Sequence, residues 1–222
     1  MAVEGVPAIV IFGDVIGSRR DPTGAAAWLR GLVAQLNDAY GDQRLAPFGF
    51  TQGDEIQGLL VADADPLGAV LRAALDSGAR PIRMVCVNGR VDAGEGPATQ
   101  RTGEAFVAAR ELISEARATR ERLMIRTGRP EADELLAGMA PALADLLEGL
   151  TPRQRAVARL ALIDGLRQSE AAERLGVRRA TISVSFSRAR VQTLGRLAAA
   201  VRKVYSEVGM PLSSGHETDS LT

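Results

Sequence analysis

Residues 9–20 read IVIFGDVIGSRR. Together with Ala8, the β-branched run Ala8–Phe12 has the length of a strand and no polar position, which predicts a buried strand. The run stops on Gly13-Asp14 and turns through Gly17-Ser18 into Arg19 and Arg20. Gly, Asp and Ser are ordinary turn residues, so the stretch reads first as a strand running into a turn. The same order also sets one carboxylate at the mouth of a buried strand with glycines and cations behind it, which suits a metal ion and phosphates.

Outward from this strand, strand and helix patterns alternate. Gly24–Tyr40 carries Trp28, Leu29, Leu32, Val33 and Leu36 at helical spacing. Phe48–Thr51 and Ile56–Val61 predict two strands around Gly53-Asp54, a tight hairpin signal. Pro66–Ala79 is helical, with Leu67, Val70, Leu71, Ala74 and Leu75 on one face. Ile82–Val87 predicts a strand that runs into a glycine-rich loop from Asn88 to Gly96. Thr102–Arg117 predicts a helix and Arg122–Ile125 a last short strand. The order β-α-β-β-α-β-α-β predicts an α+β domain over residues 1–126, a ferredoxin-like or palm-type sheet with helices packed on one face. TGRP at 127–130 breaks the pattern, and Glu131–Glu148 reads as a helical linker within 127–149, bent or interrupted at Pro141. Residues 150–205 are helical throughout, and the small, polar stretch 206–222 predicts a disordered tail.

Formal charges balance, 27 Lys and Arg against 27 Asp and Glu, so any nucleic-acid surface must be a local patch on a neutral chain. Cys86 is the one cysteine; it excludes a disulfide framework and suits a reducing compartment as a buried structural thiol. His216, the one histidine, lies in the polar tail, which excludes histidine triads and multi-histidine metal sites. No apolar stretch approaches the ~20 residues that span a bilayer, and no basic region precedes the first apolar run. The expectation is a soluble cytoplasmic protein with no membrane partner.

Asp14 ends the first strand and Asp54 lies at the turn of the strand pair expected beside it. With Glu55 they form an oxygen cage of the kind that holds Mg²⁺ or Mn²⁺ together with substrate phosphates. Gly13 and Gly17 let the backbone approach a phosphate closely. The amides from Ile16 to Arg19, next to Val15 and including Gly17 and Ser18, are placed to form an anion nest, with Arg19 and Arg20 adding charge.

IFGDVIGSRR resembles the first metal-binding motif of class III nucleotide cyclases, and TQGDEIQGLL resembles their second, in the hairpin. RPIRMVCVNGRV followed by TGEAFVAARELI is similar to the strand and helix that complete that fold. The GDxIGSR start and GDxxQ hairpin also resemble the SatD family over roughly residues 7–125. The resemblance implies a nucleotide ligand with Mg²⁺ or Mn²⁺ on Asp14, Asp54 and Glu55, and a phosphate contact from Arg110. It also sets out departures. The base-selecting lysine of cyclases is matched by Phe50, and the ribose-orienting asparagine, four residues before the helical arginine, by Phe106. Without those two groups base recognition and transition-state positioning are lost, and orientation alone supplies ~7–11 kcal/mol of a barrier. Binding or sensing of a nucleotide survives these losses better than turnover does.

LTPRQRAVARLALIDGLRQSEAAERLGVRRATISVSFSRARVQTLGRL, from Leu150, carries a second signal. Thr151 is placed to N-cap a helix, with Pro152 at its first position and Gln154 closing a capping box. A short second helix ends at Leu175-Gly176 with glycine in a left-handed turn, Val177 fills the space between helices, and a third helix begins after Arg178. On the third helix Ile182, Phe186 and Ala189 share one face, with Ala180, Val184, Ser187 and Val191 opposite. Helix, glycine turn and helix make a helix-turn-helix whose second helix enters the major groove. The stretch resembles region 4 of sigma factors and LuxR-type domains, which implies double-stranded DNA as partner. Arg167 and Arg178 stand where capping Ser or Thr is usual, at a cost in capping and with the chance to grip phosphates. The expected DNA-contacting residues are Arg178, Arg179, Thr181, Ser183, Val184, Ser187, Arg188 and Arg190, with Arg179, Ser183 and Ser187 nearest the base edges. The sequence thus reads as a DNA-binding transcriptional regulator, a homodimer in the usual manner of such proteins, whose first domain binds a nucleotide and metal or mediates dimerisation. The alternative is a divergent nucleotide cyclase or nucleotidyl transferase, which Phe50 and Phe106 argue against and Asp14 and Asp54 keep open.

Overall fold

The computed structural model describes residues 5–50 and 53–208. Five strands, β1 (Val6–Val15), β2 (Arg44–Phe50), β3 (Glu55–Val61), β4 (Ile82–Val91) and β5 (Leu123–Arg126), form one sheet in the order β2-β3-β1-β4-β5. Only the β4–β5 pair is parallel; the β1–β3, β1–β4 and β2–β3 pairs are antiparallel. Three helices interleave with the strands: α1 (Pro22–Tyr40), α2 (Leu67–Ala74) and α3 (Glu104–Thr119). The element order is the predicted one, and the central position of β1 explains its uninterrupted apolar run.

That run has two destinations. Ile9, Ile11 and Val15 join the core beneath α1 and α2, while Ala8, Val10 and Phe12 join a second core beneath α3. The expectation that all helices lie on one face is therefore corrected: α1 and α2 share a face and α3 covers the other. The reason is in β1 itself, since every position from Ala8 to Phe12 is apolar and each face must be removed from water. Phe12 and Phe106 meet across the second core with ring centroids 6.0 Å apart. Phe106, matched above to a ribose-orienting position, is thus a core residue. Phe48 lies over Gly58, where a Cβ would fall 2.1 Å from its ring, so this strand pair closes only around glycine.

The remaining helices are α4 (Pro130–Glu148), α5 (Pro152–Leu162), α6 (Gln168–Arg174), α7 (Arg179–Arg188) and α8 (Val191–Val208). TGRP is a tied turn: the Asp133 carboxylate accepts from the amides of Thr127 and Gly128 and from the Thr127 hydroxyl at 2.6–3.2 Å. α4 runs unbroken through Pro141, so the predicted interruption does not occur. Leu136, Ala140, Leu143 and Leu147 of α4, Val157 and Leu160 of α5, and Leu194, Ala198 and Val201 of α8 belong to the same continuous core as α1 and α2. α8 is also tied by polar groups to the sheet domain. Arg202 Nε donates to Asp65 at 2.8 Å, and the Tyr205 hydroxyl donates to the Asn88 side chain. The predicted disordered tail begins inside α8 at Ser206, and from residue 209 it lies outside the described residues, as does His216. No helix among the described residues is long and apolar enough to cross a membrane.

Candidate functional site

The acidic end of the sheet is built by register. Asp14 stands opposite Glu55 of β3 and opposite Arg83 of β4, and alternation along β1 turns its side chain to the α3 face with Phe12. Arg117 reaches it from the last turn of α3. Asp14 Oδ2 accepts from Arg83 Nη1 at 3.0 Å and from Arg117 Nε at 3.1 Å, and Arg117 Nη2 lies 3.6 Å from Glu55 Oε2. The hydrogen bond to Asp14, ahead of other causes, raises the Arg117 pKa. Arg83 Nε also donates to the carbonyls of Ala116 and Glu121, both at 3.1 Å, so one guanidinium ties the strand end to the end of α3. Glu55 accepts from Gln57 Nε2 at 3.0 Å. Asp54 has a different partner, the hydroxyl of Ser18.

This arrangement brings the two acidic motifs to one end of the sheet but fills the space among them with cations. A guanidinium between Asp14 and Glu55 repels a divalent ion, and among the described residues no three metal-capable side chains are grouped to hold one. As placed, these side chains form an ion-pair network around Asp14. Arg83 and Arg117 were missed in the sequence. Arg110, the arginine singled out there, is exposed two turns before Arg117 on α3, and its i+7 spacing to Arg117 was the signal available.

The glycine-rich turn after Asp14 is organised by its own backbone. The Val15 amide donates to the Asp54 carbonyl at 2.9 Å and the Ile16 amide to Pro81 at 2.8 Å, so neither points at an anion. Val15 is buried in the core. Gly13 makes room for a neighbouring side chain, since a Cβ there would lie 2.8 Å from Ile56 Cγ1, whereas Gly17 is required by its φ of 73°. Ser18, Arg19, Gly53 and Asp54 line a shallow open hollow at the turn, with Arg19 exposed.

The helical region presents a different surface. Thr151 and Gln154 close the predicted capping box, with Thr151 N to Gln154 Oε1 at 2.8 Å and Gln154 N to Thr151 Oγ1 at 3.3 Å. Arg167 begins α6 without a side-chain acceptor, as arginine must, but Glu170 reaches back to accept from its amide at 2.7 Å and its guanidinium at 2.8 Å. Glu170 thus supplies the reach-back half of a capping box, and Arg167 is held by an acid. Leu175 and Gly176 turn the chain, with Gly176 at φ 63°, and half-buried Val177 packs on the core. α7 is held through buried Ile182 and half-buried Phe186, and Ala189 closes its end. Arg178, Arg179, Thr181, Ser183, Val184, Ser187, Arg188 and Arg190 are all exposed. Val191, predicted on that outer face, is buried instead. Arg190 takes a left-handed conformation, φ 50°, which ends α7 and resets the helical phase. Residues 151–205 hold twelve Arg and Lys against three Asp and Glu, a net +9 within a neutral chain.

The family model for region 4 of sigma-70 matches residues 141–193, from the second half of α4 to the start of α8. The helix-turn-helix of this region is therefore of the sigma-70 region 4 kind. Two solved structures of a bacterial light-regulated adenylyl cyclase are similar to the chain at low level. One has 17% identity and a TM-score of 0.39, covering 55% of this chain and 43% of that one. The other has 16% identity and a TM-score of 0.37, covering 54% and 75%. The chain thus spans under half the length of the first of them. No curated protein matches it.

Proposed function

We propose that the chain is a double-stranded-DNA-binding transcriptional regulator that reads the major groove with α7. The observation that supports it is the outward display of all eight expected contact residues on and around a helix held by few apolar anchors, in a region of net +9. Arginines at 178, 188 and 190 suit phosphates, which position without specifying, while Arg179, Ser183 and Ser187 suit base edges and Val184 a thymine methyl. As a homodimer it would engage half-sites about 34–36 Å apart. The test is selection of bound duplexes by the full chain from a random library, followed by anisotropy titration across salt. An enriched motif, lost in Arg179→Ala, supports the reading; equal affinity for all duplexes with an unchanged Arg179→Ala variant rejects it.

A second reading, in which the acidic end binds a nucleotide with Mg²⁺ or Mn²⁺, has one observation in its favour: the Arg117 side chain is 46% exposed, so a path to withdraw it from between the acids is open. It predicts a rise in melting temperature with Mn²⁺ and a nucleoside triphosphate, larger in Arg117→Ala and absent in Asp14→Asn. Turnover of the triphosphate in the same samples would carry the cyclase or transferase alternative. No shift in either wild type or Arg117→Ala removes both.

A further inference from the structure

Where α5 meets the sheet domain, a small pocket of about 70 Å³, partly open to solvent, lies between α2, the start of β4 and α4. Its walls are apolar: Val70, Ile82, Met84, Leu123, Ala144 and Leu147. Three arginines also line it, and two of them are already neutralised. Arg80 pairs with Asp21 at 2.5 Å, and Arg122 holds Glu148 through two bonds of 2.8 and 3.0 Å. Arg155, from α5, has no ion pair among the described residues. Its Nη1 and Nη2 reach the carbonyls of Ala79 and Glu148 only at 3.4 and 3.5 Å, the long limit of a hydrogen bond. Its Nε is shielded from solvent and has no hydrogen-bond partner among the described residues.

A buried donor left unsatisfied is rare and costly, and here it belongs to a cation at the edge of an apolar chamber. We infer that this pocket is a binding site for a small monocarboxylate with a compact apolar body. The apolar walls take the body. The Nη1–Nη2 edge of the Arg155 guanidinium, held only by its two long contacts, offers parallel N–H groups to a planar carboxylate, and a single uncompensated cation matches a single negative charge. Few polar groups converging on an apolar chamber is the usual make-up of a small-molecule site. The site is defined without reference to DNA, so its test stands apart from that of the proposed function.

The test is calorimetric titration of the full chain with propionate and butyrate, each against its neutral amide. Saturable binding of either acid, with the matching amide weaker by about tenfold or more, supports the site. Arg155→Met should bring the acid down to the level of its amide, and Ala144→Phe, which fills the chamber, should abolish both. Absence of saturable binding by both acids, equal binding of acid and amide, or an Arg155→Met variant that binds as wild type would each overturn it. The acid-to-amide comparison on wild type stands even where a variant fails to fold.

Discussion

Asp14 carries its charge at the end of a strand buried on both faces, and it is tolerated there because two guanidiniums share one of its oxygens. The Arg83 side chain is 11% exposed, so removing its carboxylate leaves a poorly solvated cation. Asp14→Asn should cost about 3 kcal/mol, read as a lower urea midpoint at unchanged slope. The acid was legible in the sequence, its partners were not. A carboxylate before a glycine turn announces itself locally, whereas Arg83 and Arg117 become its neighbours only through strand register and the pitch of α3. Buried acids of another kind set the alkaline behaviour. Burial, with a smaller push from Asp65, raises the Cys86 thiol to about 12, and burial likewise raises the hydroxyls of Tyr40 and Tyr205. A raised folded pKa means that the folded state keeps its proton longer, so stability is complete below the ordinary value near 9 and falls as pH climbs from there toward 12. Thermal melts between pH 8 and about 11 should show that decline, with a shallower slope in Cys86→Ala; native Cys86 should resist thiol reagents until the chain unfolds.

At the scale of the element, α7 and α8 are separated by Ala189 and Arg190, and Arg190 holds an unfavourable conformation. Arg190 at φ 50° bears a penalty that glycine does not, so Arg190→Gly should raise stability by about 1 kcal/mol while weakening DNA binding by the loss of a cation. Its salt dependence should fall by about one unit of slope and its sequence preference should not change. An Arg190→Gly variant that loses stability would show the left-handed turn to be dictated by the side chain. The periodicity around this residue explains what could and could not be read beforehand. Ile182, Phe186 and Ala189 fit one helical stripe and were placed correctly, but extrapolating the stripe past an unmarked break put Val191 on the wrong face. Glycine at 176 announces its turn; arginine at 190 does not. The same limit applies to α3, since amphipathic spacing shows that a helix has an apolar face without showing which side of a sheet receives it.

Taken whole, the molecule has its joints filled. α4, read as a linker, packs on β5 and α8, and the core beneath α1 and α2 continues without a gap into α5 and α8. Regions that share a core lose their independence, so thermal unfolding followed at Trp28 and by far-ultraviolet circular dichroism should give one coincident transition. Two separated transitions would mean that residues 150–205 melt on their own. Sheet order carries a consequence for synthesis. β1 leaves the ribosome before both of its neighbours, since β3 and β4 end only at Val61 and Val91. At about 5–20 residues per second, its oily centre waits for several seconds of translation with neither edge paired. The core shared with α1 and α2 is completed only when α8 arrives. A nascent chain of this design should lean on a holdase early and reach protease resistance only once α8 has emerged.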